Sequence, residues 1–178
     1  MVSIVFESHA TTTDNENRIC SGHFDAKLSE FGKKQAEELG ARHVAGPFAA
    51  IFCSDLSRSV ETARLAFHDR YPVVQDARLR ECDYGQFTHC TRAVMDEEQF
   101  KRISVPFPEG ESYEQAFQRM KDFLTDLYRD YNSQRVMIIG HGATCAALEH
   151  YLNGLTVKDA LIEARKWKPG REYELHGK

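Results

Sequence analysis

VSIVFESHATTTDN, residues 2–15, begins with a run of β-branched and aromatic side chains and ends in a histidine set among small and hydroxyl residues. The run has the length and composition of a buried strand, and the polar residues after it mark where the chain leaves the core. Two further stretches repeat the pattern: AAIFC (49–53) runs into SDLSRSVETA, and RVMII (135–139) into GHGAT. Longer amphipathic segments separate the apolar runs. This alternation predicts a three-layer α/β/α fold with a mostly parallel central sheet. In such sheets ligands bind at the carboxyl ends of the strands, so the three loops should open on one crevice where His9, Arg58 and His141 converge.

The rest of the chain fits that frame. YPVV (71–74) is a shorter strand, and REYEL (171–175) is a last one after the turn-forming Lys168-Pro169-Gly170. Ser29 can cap a helix running to about Val44, and Ser54 or Asp55 another through SRSVETARLAF. In ESYEQAFQRMKDFLTDLYRDY, Ser112 and Gln115 form a capping-box pattern. Phe117, Met120, Phe123, Leu124, Leu127, Tyr128 and Tyr131 then recur at three- and four-residue steps, a stripe that should face the core. Residues 76–111 have no clear period and are long for a plain connection, which suits a functional loop or lid. No internal repeat or interdomain linker breaks the pattern, and residues 1–178 read as a single domain.

The composition narrows the function classes. With 178 residues, 42% of them hydrophobic and 28% charged, the chain can bury one full core. A net charge of −4, with no long basic run, gives no electrostatic basis for capturing nucleic acid or an anionic membrane. The five cysteines are irregularly spaced and include no CxxC pair, so reduced thiols in a cytoplasmic protein are expected. The first residues show no basic segment leading into a long apolar stretch. No run approaches the roughly 18 apolar residues that span a bilayer. The eight histidines show no HExxH or paired zinc spacing, so no metal or other cofactor is expected. Oligomeric state cannot be read from the sequence.

Each candidate residue also has a plain structural reading. A histidine after a strand commonly caps or decorates the surface. His141 differs in lying between two glycines, which allow close backbone approach to a ligand. Arg58 would ordinarily be a solvated helix residue paired with Glu61 or Asp55. Taken together, at corresponding positions after three strands, they describe an anion site with an imidazole nucleophile.

Ser8-His9-Ala10 is followed by Thr11-Thr12 and Asn15, and then by Ser21-Gly22, Asp25, Leu28-Ser29, Gly32 and Gln35-Ala36. Ser54-Asp55-Leu56-Ser57-Arg58 with Thr62-Ala63, Leu79-Arg80-Glu81, Pro108 with Gly110-Glu111-Ser112, and Gly140-His141-Gly142 complete the series. In their order and intervals these motifs resemble the histidine phosphatase superfamily, with its phosphoglycerate mutase-like fold, over nearly the whole chain. The resemblance implies a metal-independent phosphomonoesterase acting on a small phosphorylated metabolite. His9 would become phosphohistidine before water cleaves it, and Arg58 and His141 would bind the phosphoryl oxygens. Glu81 would be the general acid that protonates the leaving alkoxide, a role that a neighbouring phosphate dianion favours. Ser8, Asn15, Ser21, Gly22 and Gly142 would contact substrate.

The chain departs from the family's pattern where Arg-His-Gly reads Ser8-His9-Ala10, where the usual following Glu is Thr11, and where an aromatic-Glu-Gly reads Phe87-Thr88-His89. A guanidinium gives a phosphate clamp a permanent charge and forked donors. Losing one such donor costs about 10²–10³ in rate, which weakens an enzyme without abolishing its activity. Arg18 or Arg80 could compensate. The alternative is a catalytically silent member that binds a phosphorylated ligand or a protein partner. A phosphoglycerate mutase ranks lower, because the segment between Glu81 and Pro108 is short and lacks an Arg-Arg-Tyr-like cluster.

Overall fold

In a computed structural model, which describes residues 1–44 and 46–177, the chain folds around a five-stranded sheet. Its strands are β1 (Val2–Ser8), β3 (Ile51–Cys53), β4 (Val73–Gln75), β6 (Arg135–Gly140) and β7 (Arg171–Leu175), in the order β4-β3-β6-β1-β7. All pairings are parallel except that of β7, which runs antiparallel to β1 at the edge. The strands occur where the apolar runs predict them, with boundaries shifted by one or two residues.

The central strands are buried on both faces, which is why they read as apolar runs rather than alternating ones. On one face Ile4 and Phe6 of β1, Phe52 of β3, and Val136 and Ile138 of β6 pack with α5 (Tyr113–Tyr131) and α6 (Gly142–Asn153). On the other face Val5, Ile51, Met137 and Ile139 pack against α2 (Glu30–Arg42) and α3 (Ser57–Phe67). α2 and α3 lie so close that a Cβ on Gly40 would sit 1.9 Å from the Ala66 carbonyl oxygen. Glycine is what allows that approach. α5 begins with the anticipated capping box at Ser112 and Gln115 and buries Phe117, Met120, Phe123, Leu124 and Leu127. Tyr128 and Tyr131, at its end, are only partly buried.

Some local expectations are corrected. α3 has no side-chain cap from its own N-terminus, since Ser54 bonds His141 and Asp55 pairs with Arg80. Asp25 reaches over instead to accept the Ser57 N–H at 2.8 Å. The unperiodic segment contains a short helix, α4 (Arg92–Glu98), capped by Thr91. A small antiparallel pair, β2 (Ile19–Cys20) with β5 (Cys90–Thr91), joins this segment to the loop after β1 through the four-residue helix α1 (Thr13–Glu16). α6 carries no amphipathic period because Ala143 through Glu149 are all buried, and α7 (Val157–Ala164) packs beside it.

Candidate active site

Parallel pairing of β1 with β6 sets Ser8 opposite Gly140, and β6 in turn sets Ile139 opposite Cys53. The residues that follow each strand therefore emerge side by side. The His9 N–H donates to the Gly140 carbonyl at 2.9 Å, and the His9 and His141 rings lie 4.9 Å apart, tilted by 53°.

The His9 ring is held by one bond. Its Nδ1 lies 2.8 Å from the Ala10 carbonyl oxygen, which can only accept, so Nδ1 carries the hydrogen. Burial and then the positive charge of Arg58 push the imidazole pKa down to about 3, outweighing the bond to Ala10. A neutral ring protonated at Nδ1 has its lone pair on Nε2, the condition for a nucleophile. His141 is 1% exposed and is also held neutral, by burial first and then by Arg58 and His9. Its Nε2 lies 2.7 Å from Ser54 Oγ, and its Nδ1 is the sole buried side-chain polar atom without a partner among the described residues. An unpaired buried donor or acceptor is costly, and a ligand oxygen would relieve that cost.

Arg58 departs most from its plain reading. It is 2% exposed, and its guanidinium donates to the carbonyls of Phe24 at 2.9 Å and Gly22 at 2.7 Å. Among the described residues no carboxylate lies within ion-pair distance of it, whereas Asp55 is engaged by Arg80 at 2.5–2.6 Å. A buried charge without a counter-ion is strongly unfavourable unless an anion arrives to match it. α3 is fixed to the strand ends around this group. Thr62 Oγ accepts the Ala10 N–H at 3.0 Å and donates to the Arg58 carbonyl at 2.7 Å, and Ser59 donates to the Ile139 carbonyl.

Glu81 reaches across to the start of α6. Its carboxylate accepts N–H bonds from Cys82 at 2.8 Å, Ala143 at 3.0 Å and Gly142 at 3.0 Å, so the Gly142 amide serves Glu81 here. Arg119 of α5, which the sequence reading passed over, fixes the loop beneath. It donates to the carbonyls of Arg78, Arg80 and Glu81 at 2.6–2.9 Å and pairs with Glu111 at 2.6 Å. Glu111 in turn accepts the Asp83 N–H, which gives the Gly110-Glu111-Ser112 motif a physical role. A cation beside the apolar stripe of α5, eight residues after that glutamate, was the available signal.

His9, Arg58, Glu81, Asn15, Ser21 and Gly22 line one cavity of about 260 Å³, joined by Arg18 and Arg92. Gly22 has a φ of +54°, and a Cβ there would meet the Tyr84 ring at 2.9 Å, so glycine both permits the turn and aims its carbonyl at Arg58. Asn15 is fixed by a capping box with Thr12 that uses its Oδ1, leaving its NH₂ end for a ligand. Ser21 donates to Asp14 at 2.8 Å. Ser8, exposed at the end of β1, Gly142, and the buried His141, whose ring lies behind that of His9, are outside this lining. Among the described residues no group of three or more His, Cys, Asp or Glu side chains could hold a metal ion, and no helix is long and apolar enough to cross a membrane.

Known proteins share this architecture and sequence. The profile of the histidine phosphatase superfamily (branch 1) matches residues 4–163. Phosphoserine phosphatase 1 of Hydrogenobacter thermophilus is 29% identical over 164 residues, 87% of this chain and 78% of that protein. An Enterobacter protein named "Probable phosphoglycerate mutase GpmB" is 28% identical over 87% of this chain and 76% of its own length. The solved mycobacterial glucosyl-3-phosphoglycerate phosphatase with VO3 superposes with a TM-score of 0.72 at 27% identity, covering 90% of this chain and 86% of that one. The match over residues 4–163, carried on the mostly parallel sheet described above, makes this chain a member of the histidine phosphatase superfamily.

Proposed function

We propose that the protein is a metal-independent phosphomonoesterase that hydrolyses a small phosphorylated metabolite through a phosphohistidine on His9. The observation that carries this reading is the pairing of a neutral imidazole, its Nδ1 tied to Ala10, with a buried Arg58 guanidinium that has no carboxylate partner among the described residues. His9 Nε2 attacks phosphorus as the ester P–O bond breaks, and the leaving oxygen takes a proton from Glu81. Water then attacks the phosphohistidine, its proton passes to Glu81, and inorganic phosphate and free imidazole result. Arg58 and the unpaired Nδ1 of His141 bind phosphoryl oxygens. Phosphatases among the relatives, one named for phosphoserine and one for glucosyl-3-phosphoglycerate, support hydrolysis of a small substrate. Residues 1–178 are read as one such domain, and a reducing, cytoplasmic setting fits five cysteines that are all free.

Ser8-His9-Ala10 stands where we read the family's Arg-His-Gly, so the clamp has one guanidinium fewer. Arg18, on the cavity wall, is the cation placed to compensate, whereas Arg80 is held by Asp55. This departure favours a second reading, a catalytically silent member that binds a phosphorylated ligand. Hydrolysis of 4-nitrophenyl phosphate in EDTA separates the two. The phosphatase reading expects turnover that His9→Ala abolishes, and equal rates for the two proteins would leave binding as the function.

A further inference from the structure

The turn that holds Arg58 also holds Glu81. The Gly22 and Phe24 carbonyls take the Arg58 guanidinium, and His23 stands between them in the chain. His23 Nε2 lies 2.7 Å from the main-chain carbonyl oxygen of Glu81, 58 residues further along. A carbonyl only accepts, so Nε2 carries the hydrogen and donates it. Nδ1 lies 3.6 Å from Asp83 Oδ2, beyond hydrogen-bond reach, so the bond to Glu81 is the one the ring makes among the described residues. Glu81 itself sits in irregular backbone, where no helix or strand ladder fixes its main chain. Its carbonyl is pinned instead by two side chains: His23 from the Arg58 turn, and Arg119 from α5 at 2.9 Å. Arg119 spreads its bonds over the Arg78, Arg80 and Glu81 carbonyls, whereas His23 addresses Glu81 alone. A reacting group displaced by about 1 Å can cost about 10²-fold in rate, so a pin on this backbone matters to the chemistry of the carboxyl it carries. One turn thus braces both ends of the reaction, the phosphoryl clamp through its carbonyls and the acid through its imidazole.

We propose that His23 is a positioning residue for the leaving-group proton transfer, its Nε2–H fixing the Glu81 main chain so that the carboxyl is set against the phosphoryl site of Arg58. The inference rests on the acid role given to Glu81. His23→Leu and His23→Gln both lose the ring and its approach to Asp83, but glutamine keeps an N–H donor of similar reach. The probes are 2-phenylethyl phosphate, whose leaving alkoxide needs a proton, and 4-nitrophenyl phosphate, whose leaving oxygen needs little. The quantity compared is kcat/KM, which reports transfer to His9. Because Arg119 still holds the same carbonyl, His23→Leu should forfeit only part of the misplacement cost, about tenfold on the alkyl ester and within about twofold on the aryl ester. His23→Gln should recover most of that loss. Equal slowing of both esters, or a glutamine variant as slow as the leucine one, overturns the inference, since a loosened turn would do the same. So does an alkyl-selective loss that persists undiminished when His23→Leu is added to Glu81→Gln, because His23 would then act through another group. Glu81→Gln alone tests the underlying reading, and if it slows both esters equally the acid role fails. The brace itself is read without turnover, from protein labelled with ¹³C-glutamate. The Glu81 carboxyl resonance, identified by its loss in Glu81→Gln, should move in His23→Leu and return in His23→Gln. An unmoved resonance overturns the inference whether or not the protein hydrolyses esters.

Discussion

Replacing Arg58 with methionine should separate activity from stability. The guanidinium is 2% exposed and makes two hydrogen bonds to backbone carbonyls. Charge-assisted bonds of that kind contribute about 1.5–3 kcal/mol each, so losing both costs about 3–6 kcal/mol. Against this, an apolar side chain of similar length removes the penalty of burying a cation without a counter-ion, which is itself several kcal/mol. The two nearly offset. Arg58→Met should therefore change unfolding free energy by no more than about 2 kcal/mol, or about 4–8 °C in Tm for a chain of this size. Activity should respond quite differently, with kcat/KM on an aryl phosphate falling about 10²–10³-fold, the cost of one preorganised donor. Phosphate provides the link between the two. At about a hundred times its Kd it should stabilise the wild type by about 2.7 kcal/mol and the variant far less. Thermal scans with and without phosphate, alongside initial rates, measure all three quantities. A stability loss above about 4 kcal/mol with an undiminished phosphate response would show that Arg58 is a bracket for the 22–24 turn, and the anion-site argument would fail.

Glu81→Gln should slow alkyl phosphates far more than 4-nitrophenyl phosphate, whose leaving oxygen needs little protonation, and equal slowing of both would move the acid elsewhere. Ser8→Arg should raise the rate on an aryl phosphate about tenfold and tighten vanadate, less than full recovery of a missing donor because nothing around Ser8 is shaped to orient a guanidinium. Unchanged vanadate affinity would mean that another cation, Arg18 first, already fills that place. Because His9 is held at about 3 in the fold against 6.5 for a free imidazole, the unfolded chain binds the extra proton between those values. Stability should thus be lost as pH falls from 6.5 towards 3, and His9→Asn should flatten that slope in denaturant titrations, an identical slope refuting the assignment.

The sheet was legible because its central strands are buried on both faces and must be written as short apolar runs, as VSIVF and RVMII are. α5 was legible because Ser112 and Gln115 declare its start and one face of it is wet. α6 was not, since a helix buried through Ala143 to Glu149 has no polar face to give it a period. α4 and the β2–β5 pair were hidden for another reason: two-residue strands and a seven-residue helix are too short for periodicity and are held by tertiary contacts. The loops that carry His9, Arg58 and His141 could be brought together from topology, whereas Glu81, in a segment without a period, was legible only through the family resemblance. What no local pattern carries is the burial of Arg58, because its carbonyl partners lie 34 and 36 residues away. The grip of Arg119 on the Glu81 loop is equally non-local, spanning 38 to 41 residues.

The most direct test of the central claim is to trap the covalent intermediate. The wild-type protein is mixed with a ³²P-labelled aryl phosphate, quenched in alkali within the first turnover, and mapped by mass spectrometry under basic conditions. The account predicts label on His9, lost in acid, stable in base, and absent from His9→Ala. Label on a serine or threonine, or full turnover by His9→Ala, would contradict it.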